Sequence, residues 1–466
     1  MRRIWTRITL SSLLLCSLAV ACGGSQKKKD ETAAGAEQPA VPGEPDSYDV
    51  PQGGDDQSTG DAVPTGPGEQ APEEHQMSAD ARGTYNDGVR AAAEGNLDRA
   101  RQSFERTLQI DPRAHQALYN LGVIADRKGD EEGSRSYYRQ ALAAQPNYLP
   151  AIRALSNLEV RRGNVDAAVG MMRDLVGRYP KDIGILNQYA EVLIVASRYK
   201  DAIDVAKQAL RVDERNAEAM LRVGKANLRL GRTELAEAVF ENVLSINPDE
   251  AEVFFLRSFI YLERGHKVEA INSLKKTLEK RPTHVEAMNN LAVQYILSGN
   301  YEEAIAQLEK ALELAPSWGV LHLNHGNALR GAGRWQEAKQ ELERARQLDP
   351  SLTGVLFNKA ILYYVAEGLD DLERLERYKK AKRLFADYKA EMGSALEKDD
   401  PVHDYLKELD RVIDREERRL EQIAEREKRE AERAAAREAE GDAGAADEGW
   451  EDEGGEDEGW EDEGWE

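Results

Sequence analysis

An all-α solenoid of stacked helix pairs is the fold class this sequence predicts, on a strict periodicity and on the residue types that keep it. Proline returns every 34 residues, at Pro112, Pro146, Pro180, Pro248, Pro282, Pro316 and Pro350, with Glu214 at the one step that lacks it. That period is the length of one helix, turn, helix unit. A proline just past a helix stops it, because it has no N–H to donate and its ring clashes with the preceding turn. Twelve residues before each step lies a small side chain (Ala100, Ser134, Ala168, Ala202, Ala236, Ala270, Ala304, Ala338), where two helices must approach closely. Eight residues before it stands a larger apolar one (Phe104, Tyr138, Met172, Phe240, Leu274, Leu308, Leu342), with Ala206 in the fourth unit, expected to fill the space beside the alanine.

A third small position lies 24 residues before each step (Gly88, Gly122, Ser156, Ala190, Gly224, Ser258, Ala292, Gly326), and Gly95-Asn96, Gly163-Asn164, Gly299-Asn300 and Gly333-Arg334 mark turns between the helices. These residues resemble the tetratricopeptide repeat, TPR, from about Asp80 to Pro350 without insertion or deletion; "LGVIADRKGDEEGSRSYYRQALAAQP" and "LAVQYILSGNYEEAIAQLEKALELAP" carry the likeness most fully. The resemblance implies a superhelical solenoid of eight regular repeats, residues 79–352. A ninth unit, residues 353–398, opens with "VLFNKAILYYVAEG" and then carries extra residues, so it is expected to be a degenerate repeat serving as a cap, which solenoids need for solubility. Aromatic residues make up only 6 % of the chain, and no sheet is expected.

The N-terminus begins with Arg2, Arg3 and Arg7 and continues into an apolar run from Ile8 to Val20, too short for a comfortable membrane span. Residues 1–21 are predicted to be a cleaved signal peptide. Ala19-Val20-Ala21-Cys22 resembles a bacterial lipobox, which implies lipidation of Cys22; Gly23 after it implies the outer membrane by the sorting rule of enteric bacteria. The only other cysteine, Cys16, lies within the segment to be removed, so no disulfide forms within the mature chain. Residues 22–78 are rich in Pro, Gly, Glu, Asp and Gln and read as a disordered tether spanning on the order of 40 Å. Lys27, Lys28 and Lys29 lie where they could meet anionic headgroups.

Beyond the cap, residues 399–440 read as a charged helix. Val402, Leu406, Leu409, Ile413, Leu420 and Ile423 form a stripe expected to dock on the final repeat, and the rest should stand in solvent on pairs such as Glu425 with Arg429 and Lys428 with Glu432. Residues 441–466 hold 13 acidic residues and no Lys or Arg, more than half of the chain's net charge of −23. Within this disordered tail Trp450, Trp460 and Trp465 punctuate repeats of "EDEGW" and are candidate anchors for a basic partner surface.

No nucleophile elbow, phosphate loop, EF-hand or zinc spacing is present, so no catalytic residue, metal site or cofactor is assigned. His322 and His325 are three apart on a helix, but no third ligand is evident beside them. Export and acidity disfavour nucleic acid. What remains is binding. In the TPR family the first helix of each pair lines a groove, and its sixth position here holds Asn86 and Asn120, then Ala154, Gln188, Arg222 and Leu256, then Asn290, Asn324 and Asn358. Amides at one per repeat can donate to and accept from an extended peptide backbone. The carboxylate clamp of chaperone adaptors is not matched, since Tyr85 and Val89 stand at its lysine and asparagine positions.

The expected function is a membrane-anchored scaffold that holds envelope proteins together at the periplasmic face. In architecture it is similar to TPR lipoproteins that serve as pilotins or as adaptors of peptidoglycan enzymes, and to an outer-membrane TPR lipoprotein of the myxobacterial gliding-motility machinery. Secretion, pilus or gliding machinery is the expected setting; regulation of a peptidoglycan enzyme is the alternative.

Overall fold

In the computed structural model the described residues are 75–444, and they form nineteen α-helices and two 3-10 turns with no strand among them. The described residues divide into two compact units, the first ending at Ser317 and the second beginning at Trp318.

The first unit contains seven antiparallel pairs: α1 (Ala79–Ala93) with α2 (Leu97–Ile110), α3 (His115–Arg127) with α4 (Glu131–Ala144), α5 (Leu149–Arg161) with α6 (Val165–Arg178), and α7 (Ile183–Val195) with α8 (Tyr199–Val212). α9 (Ala217–Arg229) with α10 (Thr233–Ile246), α11 (Ala251–Glu263) with α12 (Lys267–Lys280), and α13 (Val285–Leu297) with α14 (Tyr301–Leu314) complete it. Each second helix starts 34 residues after the one before, from Leu97 to Tyr301. Inside each pair a three-residue turn reverses the chain, and its middle residue has a left-handed backbone: Gly95, Gly129, Gly163, Gly231, Gly265 and Gly299 lie at φ between 71 and 80°. This lets two successive amides cap the first helix, as Gly95 N–H donates to Ala92 O at 3.0 Å and Asn96 N–H to Ala91 O at 2.9 Å. In the fourth pair Ser197 adopts the same conformation at φ 58° and makes the same two bonds.

The structure adds a partner for the large side chain eight residues before each step. Beside the alanine four residues earlier on its own helix, it lies on the small residue of the first helix, sixteen residues back. A Cβ on Gly88 would come 2.6 Å from the Phe104 ring, on Gly122 2.5 Å from Tyr138, and on Gly224 2.4 Å from Phe240. The alanine and the large residue are i and i+4, neighbours on one face, and both point at the partner helix. Where the first helix carries Ser or Ala instead of Gly, the opposing residue shrinks to Met, Leu or Ala, as in Ser156 with Met172 and Ala190 with Ala206. Burial of each ring contributes roughly 2–3 kcal/mol.

The second unit holds α15 (Gly319–Gly331) with α16 (Trp335–Leu348), α17 (Gly354–Val365) with α18 (Arg374–Met392), and α19 (Val402–Gly444). The extra residues of the ninth pair form a loop with the 3-10 turn Leu369–Asp371, in which Gly368, Asp370 and Asp371 all have positive φ. After it Ala381, fully buried, takes the close-contact position. Arg377 reaches back, buried, and donates to the carbonyls of Tyr363 (3.0 Å) and Tyr364 (3.2 Å), satisfying the C-terminal end of α17. α19 packs along α18 through Val402, Leu409 and Ile413, with Tyr405 stacked on Phe385 at 4.8 Å. Lys382 pairs with Asp410 (2.5 Å) and Lys379 with Glu417 (3.1 Å), so the helices run antiparallel and α19 outlasts α18. For that reason Leu420 and Ile423, expected in the docked stripe, are exposed. Past them the helix is carried by pairs such as Glu425 with Arg429 (2.6 Å) and Lys428 with Glu432 (4.0 Å).

Candidate functional site: the face of the first helices

The asparagines of the sixth position do not share one environment. In the first unit Asn86 is exposed, and Asn120 is half-buried and donates through Nδ2 to the Tyr85 hydroxyl at 3.1 Å. Asn290 is half-buried and accepts from Asn289 at 3.4 Å. In the second unit Asn324 and Asn358 are both buried, and Asn358 donates to Gly354 O of its own helix at 2.8 Å. Cys22, Trp450, Trp460 and Trp465, with the tether and the acidic tail, lie outside the described residues.

Between the two sets of asparagines the first unit carries an ion ladder that the sequence reading missed. Arg153 of α5 reaches Glu218 of α9 at 3.1 Å, and Glu218 also meets Arg222 at 3.0 Å. Arg222 and Lys225, both on α9, hold the two oxygens of Glu191 on α7 at 3.0 and 2.9 Å. Lys225 continues to Glu252 of α11 (3.7 Å), where Arg281 (3.3 Å) and His284 (3.7 Å) also converge, and His284 lies 3.0 Å from Glu286 of α13. Polar side chains fill the gaps: Gln188 donates to Ser156 Oγ at 2.8 Å and Asn187 to Glu218 at 3.2 Å. The ladder crosses five consecutive first helices with four carboxylates, four fixed cations and one histidine.

The ladder's charges are set by burial and by each other. Burial alone would push Glu191 up, but Lys225 and Arg222 outweigh it and hold the carboxyl below its usual range. Burial acts against Lys225 too, and Glu191 with Glu252 keeps it above the ordinary lysine value. Glu252, opposed by burial, is brought down to about 2 by His284, Lys225 and Arg281. A signal for this was present: Glu218, Glu252 and Glu286 stand one repeat apart, each in the first turn of its helix, where the helix dipole favours a carboxylate.

Three further histidines, His115, His322 and His325, are held within the helix packing. His115 is fully buried against the Tyr148 ring, 4.6 Å away, and desolvation lowers its pKa to about 4, so it is neutral. His322 and His325 do acquire a third group, Glu341 of α16, whose Oε2 lies 2.7 and 3.3 Å from their Nδ1 atoms. Burial opposes the Glu341 charge, and the two imidazoles hold the carboxyl below its usual range nonetheless. Among the described residues no group of three or more His, Cys, Asp or Glu side chains is placed to hold a metal ion, and no helix is long and apolar enough to cross a membrane.

Comparison with known families places this architecture. A tetratricopeptide-repeat family model matches residues 85–148 and 188–251, and a second one matches residues 283–351. The chain carries tetratricopeptide repeats, which are protein-protein interaction scaffolds, and neither match is to an enzyme family. Residues 149–187 and 252–282, outside both matches, nevertheless form helix pairs at the same step. Among solved structures the chain is similar to a thermophilic TPR protein of Thermus thermophilus (25% identity, covering 39% of this chain and 100% of that one, TM-score 0.35). It is also similar to the APC/C heterotetramer Cut9-Hcn1 (15% identity, 73% and 79% coverage, TM-score 0.48). A tetratricopeptide repeat protein of Parabacteroides merdae matches at 16% identity over 63% of this chain and 98% of that one, TM-score 0.30. No curated protein matches the chain.

Proposed function

We propose that this tetratricopeptide-repeat chain is an envelope scaffold, lipid-anchored through Cys22, that docks protein partners on the first helices of repeats one and two. One contrast supports that choice of surface. The ladder from α5 to α13 spends its charges on itself, whereas Tyr85, Asn86, Tyr119 and Asn120, on α1 and α3, stay exposed or half-buried and carry no charge. Aromatic faces beside amides suit an extended peptide, with the amides holding backbone and the rings taking side chains. The acidic tail with Trp450, Trp460 and Trp465 serves as a second arm toward a basic surface, and the partners are components of a secretion, pilus or gliding machine.

Crosslinking the full chain in cells, followed by mass spectrometry, tests this. Wild type should capture envelope proteins, and N86A/N120A should lose a subset that a tail deletion retains. Capture of no envelope protein, or an unchanged set in N86A/N120A, overturns the docking surface. Cys22→Ala should move the protein from the membrane to the soluble fraction, and a variant that stays with the membrane overturns the anchor separately.

A further inference from the structure

The junction of repeats six and seven turns on one imidazole. His284 occupies the N-cap position of α13 with its side chain 1% exposed. Its Nδ1 lies 3.4 Å from the amide nitrogen of Ala287, a donor, and 3.0 Å from Oε2 of Glu286, an acceptor. One nitrogen cannot serve both. Accepting from Ala287 needs its lone pair, and donating to Glu286 needs a proton in the same place. On the other edge of the ring Nε2 faces Glu252 at 3.7 Å, and the ring packs against Phe255 with centroids 4.5 Å apart.

We propose that His284 is a proton-operated switch between two ways of joining repeat six to repeat seven. Neutral, it caps α13 through the Nδ1 lone pair; protonated, it releases the cap and bridges Glu252 on α11 to Glu286 on α13. The groups that face it come from each packed element. α11 supplies Glu252 and the Phe255 ring, the residue closing α12 supplies Arg281, and α13 supplies Glu286 and the Ala287 amide. Lys225 of α9 occupies the other oxygen of Glu252. Two carboxylates therefore act directly on the ring against one guanidinium nearby.

The electrostatics have the sign the switch requires. Burial works against a charged imidazole, yet Glu252 and Glu286 outweigh it and raise the His284 pKa above the ordinary 6.5. Burial likewise opposes charge on Glu286, which His284 nevertheless holds below the usual carboxylate range, so the acceptor is ionised when the proton arrives. An unperturbed histidine titrates between about pH 5 and 8, and these partners move His284 upward from its ordinary value. It goes beyond the docking role and does not depend on it.

The test is a pH titration of the full chain labelled with 15N-histidine, following the ring nitrogens from about pH 5 to about pH 9 across the histidine range. H284N assigns the signal and keeps an N-cap that cannot take a proton. The expected result is a His284 midpoint above 6.5, with Nδ1 passing from protonated to lone-pair character as pH rises. E286Q should lower that midpoint by roughly one pH unit, the effect of losing a close opposite charge. A His284 midpoint at or below 6.5, or one that E286Q leaves in place, overturns the proposal. Should H284N fail to fold, the shift between wild type and E286Q decides alone.

Discussion

Repeats four and five are neighbours in the first unit and solve one packing problem with opposite materials. Repeat five sets the Phe240 ring on Gly224, turns at Gly231 and ends at Pro248, as repeats one and two do with their own ring, glycines and proline. Repeat four sets Ala206 opposite Ala190, turns at a left-handed Ser197 and has Glu214 where proline is expected. Its helices are no less buried. α7 is apolar on nearly every side, with Ile185, Leu186, Leu193 and Ile194 in one continuous core cluster, and α5 and α9 both touch it directly. A ring on a glycine fastens two helices of one hairpin, whereas a belt of aliphatics fastens three first helices to one another. Repeat four thus gains from its neighbours what it lacks within itself.

The comparison predicts unequal responses to mutation. Phe240→Ala should be the most damaging change, about 3–5 kcal/mol for emptying a fully buried ring site, read as a drop in the urea midpoint. Gly224→Ala should follow at about 1–3 kcal/mol, since the new methyl meets the ring, whereas Ala190→Gly opposite Ala206 meets no ring and should lose only about 1 kcal/mol of helix propensity. If hydrogen exchange shows the two substitutions loosening their hairpins equally, ring-on-glycine packing is not what distinguishes the repeats. Smallest is the turn: Ser197→Gly should stabilise by about 1 kcal/mol by relieving the left-handed serine, and Gly231→Ser should cost a similar amount. A melt in which Ser197→Gly is neutral or worse would show that the serine backbone is not strained.

The pH dependence sharpens the same contrast, because the ladder ties repeat four to repeats five, six and seven. Glu252 titrates near 2 in the folded chain and near 4.5 when free, so its contribution is full above 4.5 and lost as pH falls through about 2. His284 runs the other way: with its pKa raised, its contribution is full below 6.5 and lost as pH climbs through the raised value. Hydrogen exchange across residues 183–297 should therefore be most protected, after correction for intrinsic rates, between about pH 4.5 and about pH 6.5. E252Q should flatten the acid side of that profile and leave residues 79–110 unchanged; an acid limb that persists in E252Q would move its cause elsewhere.

Much of the fold was legible because a 34-residue beat is a local property, and helix, turn and helix each repeat their own signals. Contacts sixteen residues apart were not, since they depend on how two helices cross. The size match of Gly88 with Phe104 is such a contact, and so is Glu341 with His325, the group missing beside the histidine pair when only one helix was considered. The ladder escaped for a related reason. Its partners lie on first helices of successive repeats, as Glu191 and Lys225 do, so each charge by itself reads as a solvated surface residue. Leu420 and Ile423 were misplaced because a periodic stripe says which face is apolar, not where its partner helix stops.

α19 carries one more consequence. Its stacked Tyr405, with Val402 and Leu409, covers the outer side of α17 and α18, where Phe357, Phe385 and Tyr388 gather. A repeat protein offers each end the same kind of surface it uses internally, and an uncovered end can accept the start of another copy. Such a head-to-tail contact builds a ring where its rotation closes and a filament where it does not. With α19 laid over Phe357, Phe385 and Tyr388 and its far side carrying pairs such as Arg426 with Glu430, that apolar face is taken up within the chain itself.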